Sequence, residues 1–233
     1  MAHRTFFICV GLAVVILGAT LARADGRGSL FATALGGPFI AVVGGHLRAG
    51  PGWTGFMIGV LFAIACLSML DTKAGWIDLT VVRDVSQRRW AAARLAALAV
   101  GAVAFLAILT GVIALAIMMG WHSGPFVTAK TAWDVGLWMV DLIGIGWFAL
   151  GLELVTRATW WSFAVMLFVL SIARFGGGLA PYVPFAQGII ALHGLPGTLS
   201  VWAGVLYLTG FTLLAGLTAL WAAPGRWRQP SKD

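Results

Sequence analysis

The sequence predicts an all-α fold: a polytopic helical membrane protein with six transmembrane helices, a seventh if residues 31–47 cross, and an outer re-entrant segment before the last span. Three observations predict it. Of 233 residues, 61% are apolar and only 10% are charged, against about 25% charged in an ordinary soluble domain. The charges are clustered, with none between Arg94 and Lys130 and none between Arg174 and Arg226. The apolar runs are long and unbroken, as a bilayer-crossing helix of roughly 20 residues requires, and lack the polar alternation of a membrane β-barrel. A soluble enzyme, a disordered tail and a nucleic-acid module are excluded by this composition. The chain reads as a single transmembrane domain over 1–233.

The apolar segments are 5–22, 31–47, 53–70, 95–120, 134–155, 160–176 and 201–223. Segments 95–120 and 201–223 are long enough to cross with ease, and 5–22 and 53–70 are short but free of charge. Segment 31–47 contains Gly36, Gly37, Pro38, Gly44 and Gly45, so a broken or re-entrant piece competes with a crossing. Residues 1–24 carry a second reading, a secretory signal with Arg4, an apolar core and Ala22-Arg23-Ala24 as a cleavage-like site.

Orientation follows from the basic residues. The net charge of +7 comes from short loops rather than from a nucleic-acid footprint. Lys73, Arg83, Arg88, Arg89 and Arg94 place 71–94 in the cytoplasm, and Arg226, Arg228 and Lys232 place the C-terminus there too. The short loop with Arg157 fits the same side. Residues 121–133 and 177–200 then face outward. The latter stretch combines Pro181, Pro184 and Pro196 with several glycines, yet Phe185, Ile189, Ile190 and Leu192 are too apolar for an open loop. It is expected to enter the membrane without crossing it. The chain is expected in the cytoplasmic (inner) membrane.

The stretch from Asp71 to Arg94 is the most informative. Ser86 is the expected N-cap of the next helix, because helix formers follow it at once. Arg88, Arg89 and Arg94 then stand at that helix's cytoplasmic lip. Asp71, Gly75, the aliphatic run Leu79 to Val82, then Val85-Ser86-Gln87-Arg88-Arg89 opening a long apolar helix resembles the type-2 ABC transporter permease family. Val85 occupies the place where that family usually has proline. Gly176-Gly-Gly-Leu-Ala-Pro181-Tyr-Val-Pro184-Phe resembles the start of the family's outer re-entrant helices between spans five and six.

The resemblance implies a permease subunit that moves a substrate across the membrane. ATP would be hydrolysed by a separate cytoplasmic ATP-binding subunit, so this chain is not expected to be an enzyme. The chain itself has neither a Walker A nor a Gly-x-Gly-x-x-Gly motif. The resemblance further implies a homodimer or a pair with a related permease. Coupling to the ATPase would run through Gly75, Asp78, Arg83, Asp84, Ser86, Arg88 and Arg89, in a short helix within about 75–90. The alternative function is a membrane anchor of a respiratory or redox complex binding quinone or haem. A small accessory subunit with only a structural role is a third reading.

Ionisable residues inside a span are expensive and face the protein interior or a water path. Asp134, Asp141, Glu153 and Arg174 are the candidates, either as a transport path or as an Asp141–Arg174 ion pair between helices. No cofactor or metal is expected. The four histidines, His3, His46, His122 and His193, fall outside the centres of the strong spans, and Cys9 and Cys66 read as buried thiols without metal spacing. Most of the 12 Trp residues lie near span ends, as an interfacial belt would. Trp138 and Trp147 are internal and suit packing or a path lining. Gly136, Gly144, Gly146 and Gly151 suit close helix contact.

Overall fold

The computed structural model describes residues 2–22, 40–43, 46–49, 53–70, 86–120, 129–175, 182–187 and 199–226. These residues hold six helices: α1 (Ala2–Ala22), α2 (Trp53–Leu70), α3 (Gln87–Met118), α4 (Ala129–Thr156), α5 (Thr159–Phe175) and α6 (Val201–Arg226). Strands β1 (Ile40–Val43) and β2 (His46–Ala49) form an antiparallel hairpin between α1 and α2, with Val43 opposite His46. A short 3₁₀ turn, Pro184–Ala186, lies between α5 and α6. The chain is a helical membrane protein.

Four helices contain apolar stretches long enough to cross a membrane: Arg4–Leu21, Gln87–Met118, Val135–Thr156 and Val201–Pro224. The other two are shorter in their apolar cores, Thr54–Ser68 and Thr159–Ala173. At 1.5 Å per residue the 17 residues of α5 reach about 26 Å, just under a ~30 Å hydrocarbon layer. The 32 residues of α3 reach about 48 Å. Its ends therefore emerge from the hydrocarbon, and its charged N-terminal turns fall in that excess.

The structure decides one alternative and places one helix start ahead of its apolar segment. A helical crossing by 31–47 is excluded, because 40–43 and 46–47 belong to strands of four residues each. A strand needs about 9–11 residues to cross. Residues 31–39 and 44–45 lie outside the described residues. The third span begins at Gln87 rather than at 95. Ser86 is its N-cap, as expected: the backbone is extended there (φ −60°, ψ 136°), and the hydroxyl accepts the Arg89 N–H at 3.3 Å. At the other end Gly120 takes φ +76° and donates to the Ile117 carbonyl at 2.9 Å, a left-handed stop that glycine accommodates without cost.

Helix α4 is the centre of the molecule and packs on α2, α3, α5 and α6. Its most extensive neighbour is α6, which runs parallel to it: Trp133 meets Trp202, Gly144 meets Thr212, and Gly151 meets the Ala215 carbonyl, in rising order along both helices. The glycines explain the closeness. Gly144 lies against Thr212 and Phe185, Gly151 against the Ala215 carbonyl, and Gly146 on another face against Leu98, Cys66 and Phe62. Three of the four glycines singled out by the sequence are contact points. Gly136 is not, since nothing lies within 4 Å of where its side chain would begin. Helix α1 buries Cys9, Ala13, Leu17 and Leu21, one stripe at helical spacing, against α2 and α3. A Thr20–Thr54 hydroxyl bond of 2.7 Å ties its end to the start of α2.

Candidate functional site

Two places gather the chemistry-bearing residues. The first is the end of the bundle where α3 starts and α4 and α6 finish. Helix α4 stops at Thr156 and α5 begins at Thr159, leaving a link of two residues. Arg157 takes φ 58°, the left-handed region, and its N–H donates to the Glu153 carbonyl at 3.0 Å. That is the bond a helix-ending residue makes, here from an arginine where glycine or asparagine is usual. The turn is clamped by side chains. The Thr159 hydroxyl donates to Glu153 Oε1 at 3.1 Å, and the Thr156 and Ser162 hydroxyls meet at 2.9 Å. Glu153 is buried, so this carboxylate is a brace for the α4–α5 turn.

Beside that turn an open cavity of about 440 Å³ is lined by Arg88 of α3, Leu154 and Val155 of α4, Arg157 of the turn, and Trp221, Ala222 and Pro224 of α6. Three sequence stretches that carry the basic topology signals therefore meet at one end of the bundle. The lip of α3 is further ordered by two contacts. The Arg94 guanidinium lies 5.6 Å from the centre of the Trp90 ring, and the Trp147 indole N–H donates to the Leu95 carbonyl at 3.0 Å. Trp147 thus packs on Gly216 and bonds to α3, the packing role its internal position suggested.

Of the residues that the permease resemblance implies for coupling, Ser86, Arg88 and Arg89 are described. Ser86 is exposed as the cap, and Arg88 and Arg89 are exposed in the first turn of α3. Gly75, Asp78, Arg83 and Asp84 lie outside the described residues. The short surface helix expected within 75–90 is corrected at its end: Gln87 to Trp90 belong to the long helix α3.

The second place is the intramembrane carboxylate. Asp141 is 1% exposed in the middle of α4. Asp134 is two turns earlier on nearly the same face, and its side chain is outside the described residues, as is that of Arg174. Their helices place Asp141 and Arg174 at about the same depth, each roughly 25 Å along its helix from the Arg157 turn. Glu153 is about 18 Å further along α4 than Asp141, at the turn, so the four ionisable candidates do not form one patch. Two further polar side chains are buried: Gln187, after the Pro184–Ala186 turn, and Thr212 of α6, which lies against Gly144, three residues after Asp141. The Thr212 hydroxyl has no hydrogen-bond partner among the described residues, whereas Thr20, Thr110 and Thr218 bond back to the carbonyl four residues earlier.

The outer segment expected at 177–200 is described over 182–187 and 199–200. There, Pro184, Phe185, Ala186 and Gln187 are buried, and the turn packs on α4, α5 and α6. Phe185 sits in an aromatic trio with Phe148 and Phe211 at centroid distances of 5.3–5.8 Å. The Tyr207 hydroxyl donates to the Tyr182 carbonyl at 2.8 Å. This satisfies backbone that a helix would otherwise satisfy internally. No group of three or more His, Cys, Asp or Glu side chains suited to a metal ion occurs among the described residues. The chain matches no protein-family model, no curated protein and no solved structure.

Proposed function

We propose that this chain is the membrane-spanning permease subunit of an ABC transporter, working with a separate cytoplasmic ATP-binding subunit as a homodimer or with a related permease. The observation that carries the reading is the order of elements. Six apolar helices are interrupted by a basic, capped entry into the third and by a buried non-helical turn before the sixth. That is the layout the resemblance at Ser86-Gln87-Arg88-Arg89 and at Gly176 to Phe185 implies. The meeting of Arg88, Arg157 and the α6 C-terminus at one end supports a cytoplasmic assignment for that end, in the inner membrane, by the positive-inside rule. Coupling would enter through the exposed Arg88 and Arg89, which project from a helix stiff enough to transmit a push to α4 through the Trp147–Leu95 bond.

Affinity isolation of the tagged chain from its native membrane is the test. The expected result is co-isolation of an ATP-binding subunit, lost or reduced at least about tenfold in Arg88→Glu/Arg89→Glu, since like-charge juxtaposition at an interface costs several kcal/mol. An Arg89→Cys chain should be labelled by a hydrophilic maleimide only from the cytoplasmic side, with the buried Cys9 and Cys66 silent. Co-isolation of a haem- or quinone-containing complex instead, or labelling from outside, overturns the reading.

A further inference from the structure

The cavity at the α3–α4–α6 end has a composition that the transport proposal does not use. Among the described residues its lining holds two guanidiniums, Arg88 and Arg157, and no carboxylate. The rest is apolar: Leu154, Val155 and Pro224, with the Trp221 ring at the rim. The two arginines come from elements distant in sequence, the first turn of α3 and the α4–α5 turn. Their meeting is a product of the fold and not of a basic run. Trp221 is 78% and Val155 56% exposed, and both stand at the ends of helices whose apolar stretches reach Pro224 and Thr156. The cavity therefore lies where spanning helices reach the ends of their apolar stretches.

A ligand for such a site needs a compact anion and an apolar remainder, joined at the depth of the membrane interface. A guanidinium binds phosphate oxygens through parallel N–H donors, which is why arginine is over-represented at phosphate sites. The volume, about 440 Å³, lies within the usual range for small-molecule sites and admits a headgroup but not a folded segment. Arg157 adds a further sign. Its left-handed backbone (φ 58°) would be relaxed by glycine. An arginine is thus held there against local preference, in the lining that also holds a second arginine.

We propose that this cavity binds the phosphate of an anionic phospholipid headgroup, with Arg88 and Arg157 as the charge pair and Trp221 at the glycerol level. The site tethers the α4–α5 turn and the ends of α3 and α6 to the leaflet. This inference stands on the cavity alone and does not require an ATPase partner; its assay contains none, so each proposal can fail without the other.

The test is lipid binding to the purified full chain in detergent, read by native mass spectrometry with an anionic and a zwitterionic phospholipid of identical acyl chains. Two arginines at an anionic interface should give the anionic lipid a preference of roughly 30-fold. Arg88→Gln/Arg157→Gln should bring that preference to within about threefold, while Arg4→Gln, which is not in the cavity lining, keeps it. Arg157→Gly separates binding from folding. It should unfold no earlier than the parent chain, because the turn is relaxed, and still lose about fivefold of the preference. This arm decides the matter if the double variant fails to fold. Three results overturn the proposal: no anionic preference in the parent chain, an undiminished preference in Arg157→Gly or the double variant, or displacement of the lipid by inorganic phosphate at equal concentration. The last would make the cavity a site for free phosphate.

Discussion

The α4–α6 seam and the outer face of α3 are both rich in small and aliphatic residues, yet they do opposite things. At the seam three glycines have close neighbours. Gly216 lies under the Trp147 ring, Gly144 under Thr212, and Gly151 against the Ala215 carbonyl. On α3, Gly101 and Gly111 have nothing within 4 Å, and Val100, Val103 and Leu115 are exposed. In water the first surface would be a core and the second an impossibility. In a bilayer both are ordinary, because lipid is as apolar as leucine and hydrophobicity alone does not say which face meets protein. What distinguishes them is how closely backbones approach, and that can be tested by adding single methyl groups.

The largest effect is expected at Gly216. A Cβ there would stand 2.6 Å from the Trp147 ring. That ring is not free to yield, since its N–H is bonded to the Leu95 carbonyl on a third helix. Gly216→Ala should cost about 2 kcal/mol by overpacking, less the ~1 kcal/mol that alanine gains in a helix. The net lowers the thermal midpoint by about 2–4 °C, measured on detergent-purified protein. An unchanged midpoint would mean that the seam is looser than described and the comparison fails.

A smaller and more diagnostic effect is expected at Gly144. A Cβ there would meet the Thr212 hydroxyl oxygen at 2.7 Å and the Phe185 ring at 3.4 Å. Gly144→Ala alone should destabilise by about 0.5 kcal/mol, an overpacking cost of about 1.5 kcal/mol less the ~1 kcal/mol that alanine gains in a helix. Thr212→Ala alone should be close to neutral, because the loss of a methyl, about 0.8 kcal/mol, is offset by removal of a buried hydroxyl without a partner. Together the two should be more stable than their sum by about 1 kcal/mol, the signature of residues in contact. Strict additivity would show that Thr212 does not sit on Gly144.

Much of this architecture is legible in the sequence, and the reasons for the failures are physical. Six apolar runs became six helices because a stretch of 17 to 26 residues with few or no charges has few alternatives. The Ser86 cap was readable because Ser followed by helix formers has a local mechanism. The cap also marked the start of α3, although Arg88, Arg89 and Arg94 depress any hydropathy window and the apolar run itself begins only at 95; their stems extend the helix beyond the hydrocarbon. The hairpin was hidden in 31–47, where Gly44-Gly45 reads as a break in a helix. Between β-branched and aliphatic residues the same pair is a hairpin signal. Asp141 announced its burial, since a charge at that depth has nowhere else to go. The pairing of Arg88 with Arg157 across the cavity, and the left-handed backbone of Arg157, have no local signature and emerged only with the fold.

The smallest effect is expected where the comparison is most exposed to challenge. At Gly11, Gly101 and Gly111 a Cβ meets nothing within 4 Å, so alanine adds no clash and restricts the unfolded chain. Each Gly→Ala change should therefore be neutral or stabilising by about 0.5 kcal/mol, within 1–2 °C in the midpoint. This holds only if the outer faces of α1 and α3 meet lipid. A second chain seated on either face would turn its glycines into contact points like Gly144, and the same methyl would then destabilise. Running the three variants alongside a measurement of oligomeric state separates the cases. Neutral midpoints with unchanged assembly leave these faces to the bilayer. A fall in midpoint at Gly101 and Gly111 together with a shift toward monomer would place a subunit contact on α3, and at Gly11 it would place one on α1.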